Sequence, residues 1–228
     1  MANTDRRTAI IFDVDDTLYK EHYYRLSGYR TIARHFAAIC GLTPARLYQL
    51  MAENPAEAFE NVRDLAATRG IDVPVELQLA IYRSHRPDIL LNAETIDTLR
   101  TLRERGYLLG AITDGRVYGQ LNKIAALELE RWLDPELIIA TVLLDTDKNS
   151  RKPFEEMERL VGSDVHLVYV GDNPQKDFRH PNALGWQTIM LTDDTGLNVH
   201  PQRLADWPES HHPQSKITSI SQLKQIFR

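Results

Sequence analysis

The stretch Ala9-Ile10-Ile11-Phe12-Asp13-Val14-Asp15-Asp16-Thr17 constrains this chain more than any other. Four apolar residues in a row suit a strand buried on both faces, as in a parallel sheet, and three carboxylates and a hydroxyl stand where that strand must end. A carboxylate cluster at the end of a buried strand is costly unless something cationic binds it. Asp13 and Asp15 share one face of extended backbone while Val14 turns to the other, so both can address one ligand. Mg²⁺ fits such a place, because it takes a few carboxylates together with waters and phosphate oxygens.

The rest of the chain alternates. Strand-like runs at residues 107–112, 137–144, 165–170 and 186–191 are separated by helix-like runs at 93–105, 117–127, 154–161 and 175–184. That order predicts right-handed crossovers and a Rossmann-like, doubly wound parallel α/β sheet with helices on both faces. Between the first two strands no β-rich segment appears. Thr43-Pro44 and Asn54-Pro55 read as helix starts, Gly41 and Gly70 as helix ends, and about four helices are expected. The predicted division is an α/β core from residues 1–18 and 89–228, with a small all-helical cap at 19–88 inserted over the strand ends. Residues 193–215 read as a surface loop with a short helical turn near Leu204, and 217–227 as a segment packing back on the core.

Composition narrows the class. With 43% apolar and 26% charged residues in 228, the chain resembles an ordinary globular protein, and its net charge of −5 argues against a nucleic-acid partner. The polar residues 1–7 predict no signal peptide, and no apolar run is long enough to predict a membrane span. Cys40 stands alone, so no internal disulfide framework is expected, a cytoplasmic location is, and Cys40 reads as a small buried hydrophobe.

Asp13-Val14-Asp15-Asp16-Thr17 resembles the DxDx(T/V) signature of the haloacid dehalogenase superfamily, most of whose members are Mg²⁺-dependent phosphatases. Three later strand ends match that superfamily's remaining motifs in order: Thr113, then Lys152 within Arg151-Lys152-Pro153, then Asp172 and Asp177 in Gly171-Asp172-Asn173-Pro174-Gln175-Lys176-Asp177. In an open parallel sheet these ends converge on one crevice. The resemblance implies that Asp13 attacks phosphorus to give an aspartyl phosphate, and that Asp15 protonates the leaving group and then deprotonates water. It implies that Thr113 and the backbone N–H of Asp114 donate to the phosphate, and that Lys152 offsets its charge. Asp13, the Asp15 carbonyl and Asp172 would hold Mg²⁺, or Mn²⁺, with Asp177 a further ligand or a partner behind the ligands. Lys148 is the rival to Lys152, set aside because Lys152-Pro153 matches the family pattern better.

Two further DxD-like stretches, Asp145-Thr146-Asp147 and Asp193-Asp194-Thr195, and the pair His211-His212 read as solvated loop. Tyr23 and Arg25, with His22 and Tyr24, are candidates to bind the substrate's leaving group, although aromatic residues at helical spacing usually pack. The expected substrate is a small phosphomonoester, either a nucleoside monophosphate or a sugar phosphate. The phosphatase reading includes a 5'-nucleotidase, and a sugar phosphomutase, a dehalogenase and a non-catalytic binding protein on the same fold are the alternatives. Asp15 weighs against a dehalogenase, which needs no acid for its leaving group.

Overall fold

The computed structural model describes residues 7–228, so the polar segment 1–6, and with it most of the stretch used to argue against a signal peptide, lies outside the described residues. Two compact units are present. One runs to Glu21 and resumes at Leu90–Arg228; the other is His22–Ile89.

The first unit is a six-stranded sheet in which every neighbouring pair is parallel. Its strands are β1 (Arg7–Phe12), β2 (Leu108–Thr113), β3 (Ile138–Ala140), β4 (Val165–Gly171), β5 (Gln187–Leu191) and β6 (Ser215–Ile217), in the order β3-β2-β1-β4-β5-β6. The chain therefore builds outward from β1 in one direction, returns, and builds from β4 in the other. A crevice opens at the carboxyl ends of β1 and β4, where the direction reverses. Ile10, Ile11 and Phe12 are fully buried, as the unbroken apolar run requires of a strand covered on both faces. On one face Ile11, Ile112, Leu167 and Tyr169 pack with Phe154, Met157 and Trp186.

Helices α5 (Ala93–Glu104), α6 (Val117–Ala126), α7 (Leu129–Trp132), α8 (Lys152–Val161), α9 (Arg179–Ala183) and α10 (Leu223–Ile226) complete this unit. The sequence departs from expectation in three places. The run 137–144 gives only three strand residues and then a 3₁₀ turn, Thr141–Leu144, because the Thr141 hydroxyl is drawn to Asp114 (2.8 Å). The helix expected over 175–184 shrinks to Arg179–Ala183, since residues 173–177 form a turn around the Asp177 carboxylate. A sixth strand, β6, occupies residues expected to be loop and the start of the closing segment; at three residues it is too short to show a period of two.

The second unit holds α1 (Glu21–Phe36), α2 (Pro44–Glu53), α3 (Ala58–Ala67) and α4 (Val75–Ser84), with α1 beginning one residue ahead of the unit. It contains helices and turns only. Thr43 caps α2, accepting a hydrogen bond from the Arg46 N–H, and Pro44 fills the first position. Tyr29, Ile32, Phe36, Leu47, Met51 and Val62 form its core, and Cys40 is buried among them, with burial pushing its thiol up.

Candidate active site

Asp13 follows β1 directly, and its N–H donates to the carbonyl of Val170 on β4 (2.8 Å), so it extends the sheet by one residue into the crevice. Asp172 follows β4 directly. The structure places oxygens of Asp13, Asp172 and Asp177 within 4.8 Å of one another, all three residues buried.

Asp177 is consumed by the protein. Its Oδ2 accepts the N–H groups of Asp172 (3.1 Å) and Asn173 (2.8 Å), and its Oδ1 accepts from Lys148 Nζ (2.6 Å). Gly171 permits this, because a Cβ there would stand 2.6 Å from Asp177 Oδ2. Asp177 therefore shapes the loop and holds a cation, and Asp13 and Asp172 are left to face the crevice.

That cation corrects one expectation. Lys148, 1% exposed, reaches Asp13 Oδ1 at 2.8 Å as well as Asp177, while Lys152 is exposed and its ammonium donates to the Leu144 carbonyl (2.5 Å). The reason is local. Lys152 opens helix α8 with Pro153 behind it and stays at the surface, whereas Lys148 lies in a loop anchored by its own N–H to Asp114 Oδ1 (2.9 Å). The Asp114 side chain also takes Thr141 Oγ1 and Lys176 Nζ (3.2 Å). Thr113 is fully buried and its hydroxyl donates to Gln120 Oε1 (3.0 Å), so its proton is committed inside the fold rather than in the crevice.

Asp15 turns away from Lys148. Lys123 Nζ lies 2.7 Å from both of its oxygens, Tyr19 donates its hydroxyl at 2.5 Å, and Gln120 Nε2 stands at 3.4 Å. Burial pushes the Asp15 carboxyl up, but the Lys123 charge and these hydrogen bonds outweigh it and hold it below its ordinary value. Lys123 and Gln120 were not singled out in the sequence. They stand three apart on α6, where with Gly119 they are the buried residues, and no pattern in the sequence alone marks them. Asp16 adopts a left-handed conformation (φ 58°) and accepts from the N–H groups of Glu21 (2.9 Å) and Val199 (2.8 Å), which makes it the turn residue of the motif. Tyr23 and Arg25 belong to the first turns of α1 in the helical unit, Tyr23 half exposed and Arg25 paired with His22.

Asp13, Asp15, Asp16, Glu21, Asp114, Lys148, Asp172, Asn173, Lys176 and His200 enclose a cavity of about 110 Å³. Its charge is unbalanced. Burial raises the Asp13 carboxyl to about 7, with Lys148 opposing and Asp177 and Asp15 adding to the rise. Burial, and then the charges of Asp177 and Asp13, push Asp172 well above the ordinary carboxylate range. Two buried carboxylates that resist ionisation, facing a cavity and presenting oxygen alone, are the donor set of a hard divalent cation, and they fit Mg²⁺. Asn173 Nδ2, buried and without a hydrogen-bond partner, is a donor at the same cavity that lacks an acceptor.

Residues 10–191 match the family model described as haloacid dehalogenase-like hydrolase. The chain belongs to this family. Among curated relatives of this hydrolase are three proteins named glyceraldehyde 3-phosphate phosphatase. That of Methanopyrus kandleri is 27% identical over 94% of this chain and 97% of its own length; that of Methanothermobacter thermautotrophicus is 26% identical over 96% and 99%. Solved structures share the fold. The HAD-hydrolase YfnB from Bacillus subtilis bound to magnesium superposes with a TM-score of 0.65 at 16% identity, covering 98% of this chain and 100% of that one. A HAD phosphatase from Thermococcus onnurineus gives 0.57 at 19% identity, over 96% and 97%. Among the described residues of the hydrolase, no helix is long and apolar enough to cross a membrane.

Proposed function

We propose that this chain is a Mg²⁺-dependent phosphatase, Mn²⁺ serving as well, that hydrolyses a small phosphorylated sugar through an aspartyl phosphate on Asp13. The observation that carries this reading is the pairing of Asp13 with a fully buried lysine, Lys148, beside Asp172 in a small polar cavity. In the first step an Asp13 oxygen bonds to phosphorus, the bond from phosphorus to the leaving oxygen breaks, and the minor protonated form of Asp15 gives that oxygen its proton, leaving the carboxylate that Lys123 and Tyr19 stabilise. In the second, a water oxygen bonds to phosphorus, its proton passes to Asp15, and the bond to Asp13 breaks. Lys148 favours the ionised form of Asp13 and offsets charge on the transferring group. Asp13 and Asp172 would hold Mg²⁺, which when bound would supply electrostatic stabilisation to the phosphoryl oxygens. The backbone N–H of Asp114 and the spare Nδ2 donor of Asn173 are the further phosphate contacts.

The substrate class follows from size and kinship. The cavity is well below the roughly 300–1,000 Å³ of pockets that enclose a drug-sized ligand, which favours a phosphoryl group with a short carbon chain over a nucleotide. The curated relatives are named for a phosphorylated triose, which supports the sugar branch over the nucleotidase one.

Phosphate release from p-nitrophenyl phosphate, glyceraldehyde 3-phosphate, hexose phosphates and nucleoside monophosphates, each with and without Mg²⁺, tests the reading. Mg²⁺-dependent release that is greatest for the triose or another small sugar phosphate is expected. Preference for nucleotides would move the chain to the nucleotidase branch, and no turnover on the whole panel would favour the binding-protein reading.

A further inference from the structure

Residues 193–202, expected to be surface loop, are built into the site. Among the described residues, the Asp172 carboxylate receives one side-chain hydrogen bond, from Asn198 Nδ2 to Asp172 Oδ2 (2.8 Å). The other end of that amide is fixed: Asn198 Oδ1 accepts from Lys20 Nζ (2.5 Å). A lysine only donates, so the amide oxygen must face Lys20 and Nδ2 must face Asp172. Lys20 in turn pairs with Asp193 Oδ1 (2.9 Å), whose Oδ2 takes the Asn198 N–H (3.0 Å). Burial works against the Asp193 charge, but hydrogen bonds from Thr195, Asn198 and Lys20 hold its carboxyl well below the ordinary range.

The segment is stitched at two further points. Gln202 Nε2 donates to the Asp172 carbonyl (2.8 Å) and the Leu191 carbonyl (2.9 Å), while its Oε1 accepts the Asp193 N–H (2.7 Å). The Val199 N–H donates to Asp16 in the turn that follows Asp13. The segment thus joins the turn after β1 to the loop after β4, the two places that carry Asp13 and Asp172. A loop present only to connect β5 to β6 needs none of these contacts.

We propose that residues 193–202 are the positioning arm of the metal site, and that Asn198, braced by Lys20, sets the orientation of Asp172. This rests on the reading of Asp172 as a metal ligand. By occupying Oδ2, Asn198 leaves the other Asp172 oxygen to face the cation; partners behind a metal ligand commonly contribute about 10–100-fold in affinity.

The test is Mn²⁺ binding by the full-length protein, with free ion counted by electron paramagnetic resonance, alongside metal-free melting temperature. Asn198→Leu is expected to weaken binding by about 10-fold or more, with little change in metal-free melting, and Lys20→Met by a smaller factor, since it removes only the brace. Asp194→Asn alters an exposed charge in the same segment and is expected to bind as the parent does. Asp172→Asn tests the reading beneath, and loss of binding is expected. Loss in Asp172→Asn with parental binding in both Asn198→Leu and Lys20→Met would overturn the arm alone. Equal weakening in Asp194→Asn and Asn198→Leu would also overturn it, because loop charge would then account for both. Parental binding in Asp172→Asn would overturn the metal reading and the arm together.

Discussion

Lys148 Nζ stands 2.8 Å from Oδ1 of Asp13, and it reaches that position from a loop rather than from a helix. A buried ammonium held between two carboxylates is stable only while both remain, and removing one partner of such a pair commonly costs about 3–5 kcal/mol. The pairing also favours the charged form of the Asp13 nucleophile, against burial that raises its carboxyl to about 7.

The two lysines are therefore predicted to behave differently. Lys148→Arg should retain the fold and lose about 10²–10³-fold in kcat, the scale of losing one charge-stabilising donor. Lys152→Met should stay within a few-fold of the parent. Parallel kcat measurements decide it, and the reverse pattern would restore Lys152 to the role the sequence suggested.

Lys123 grips both oxygens of Asp15, so its loss should disturb proton transfer more than binding. Lys123→Met is predicted to slow hydrolysis of an alkyl phosphate by about 10²-fold, the low end of general acid–base contributions, and that of p-nitrophenyl phosphate much less, because nitrophenolate needs little protonation to leave. Equal loss on both substrates would show that Lys123 acts on something other than the leaving group.

Glu21 gives a pH signature. Burial, and then the charge of Asp15, raise its carboxyl from 4.5 to about 7 despite Lys123 at 3.6 Å. A carboxyl raised on folding binds more protons folded than unfolded, so its contribution to stability is full below pH 4.5 and is lost as pH rises toward 7. Glu21→Gln is predicted to raise the melting temperature at pH 8 and to change it little at pH 4, at about 2–4 °C for each kcal/mol recovered. Melting curves across this range check it, and a variant destabilised at pH 8 would show that the Glu21 charge supports the fold.

Metal should stabilise as well as activate. Mg²⁺ at about 100 times its dissociation constant is predicted to add about 2.7 kcal/mol and so raise melting by roughly 5–10 °C, with chelation abolishing turnover. Asp13→Asn should remove most of the shift. An unchanged melting temperature with activity surviving chelation would exclude the ion from the site.

The sheet and its strand ends were legible because an unbroken apolar run followed at once by carboxylates suits little besides a buried strand opening into a polar crevice. Asp13, Asp172 and Asp177 emerge where the sequence pointed, although Asp177 proves to be spent on Lys148 and two backbone N–H groups. What stayed hidden depends on three-dimensional packing. Lys148 and Lys152 lie four residues apart in one stretch, and only the anchoring of the Lys148 N–H by Asp114 selects between them. Lys123 and Gln120 sit on a helix whose orientation toward Asp15 no local pattern encodes. The segment 193–202 has no periodicity, and its contacts to Lys20, Asp16 and Asp172 are made across more than 20 residues of sequence, so composition alone makes it look like solvated loop.

The measurement closest to the central claim is borohydride trapping during turnover, followed by peptide mass spectrometry. An aspartyl phosphate is reduced by borohydride to homoserine, and the account predicts homoserine at position 13 alone, appearing only with substrate and Mg²⁺ present. Steady hydrolysis with no reduction at Asp13, or undiminished phosphate release by Asp13→Asn, would contradict it.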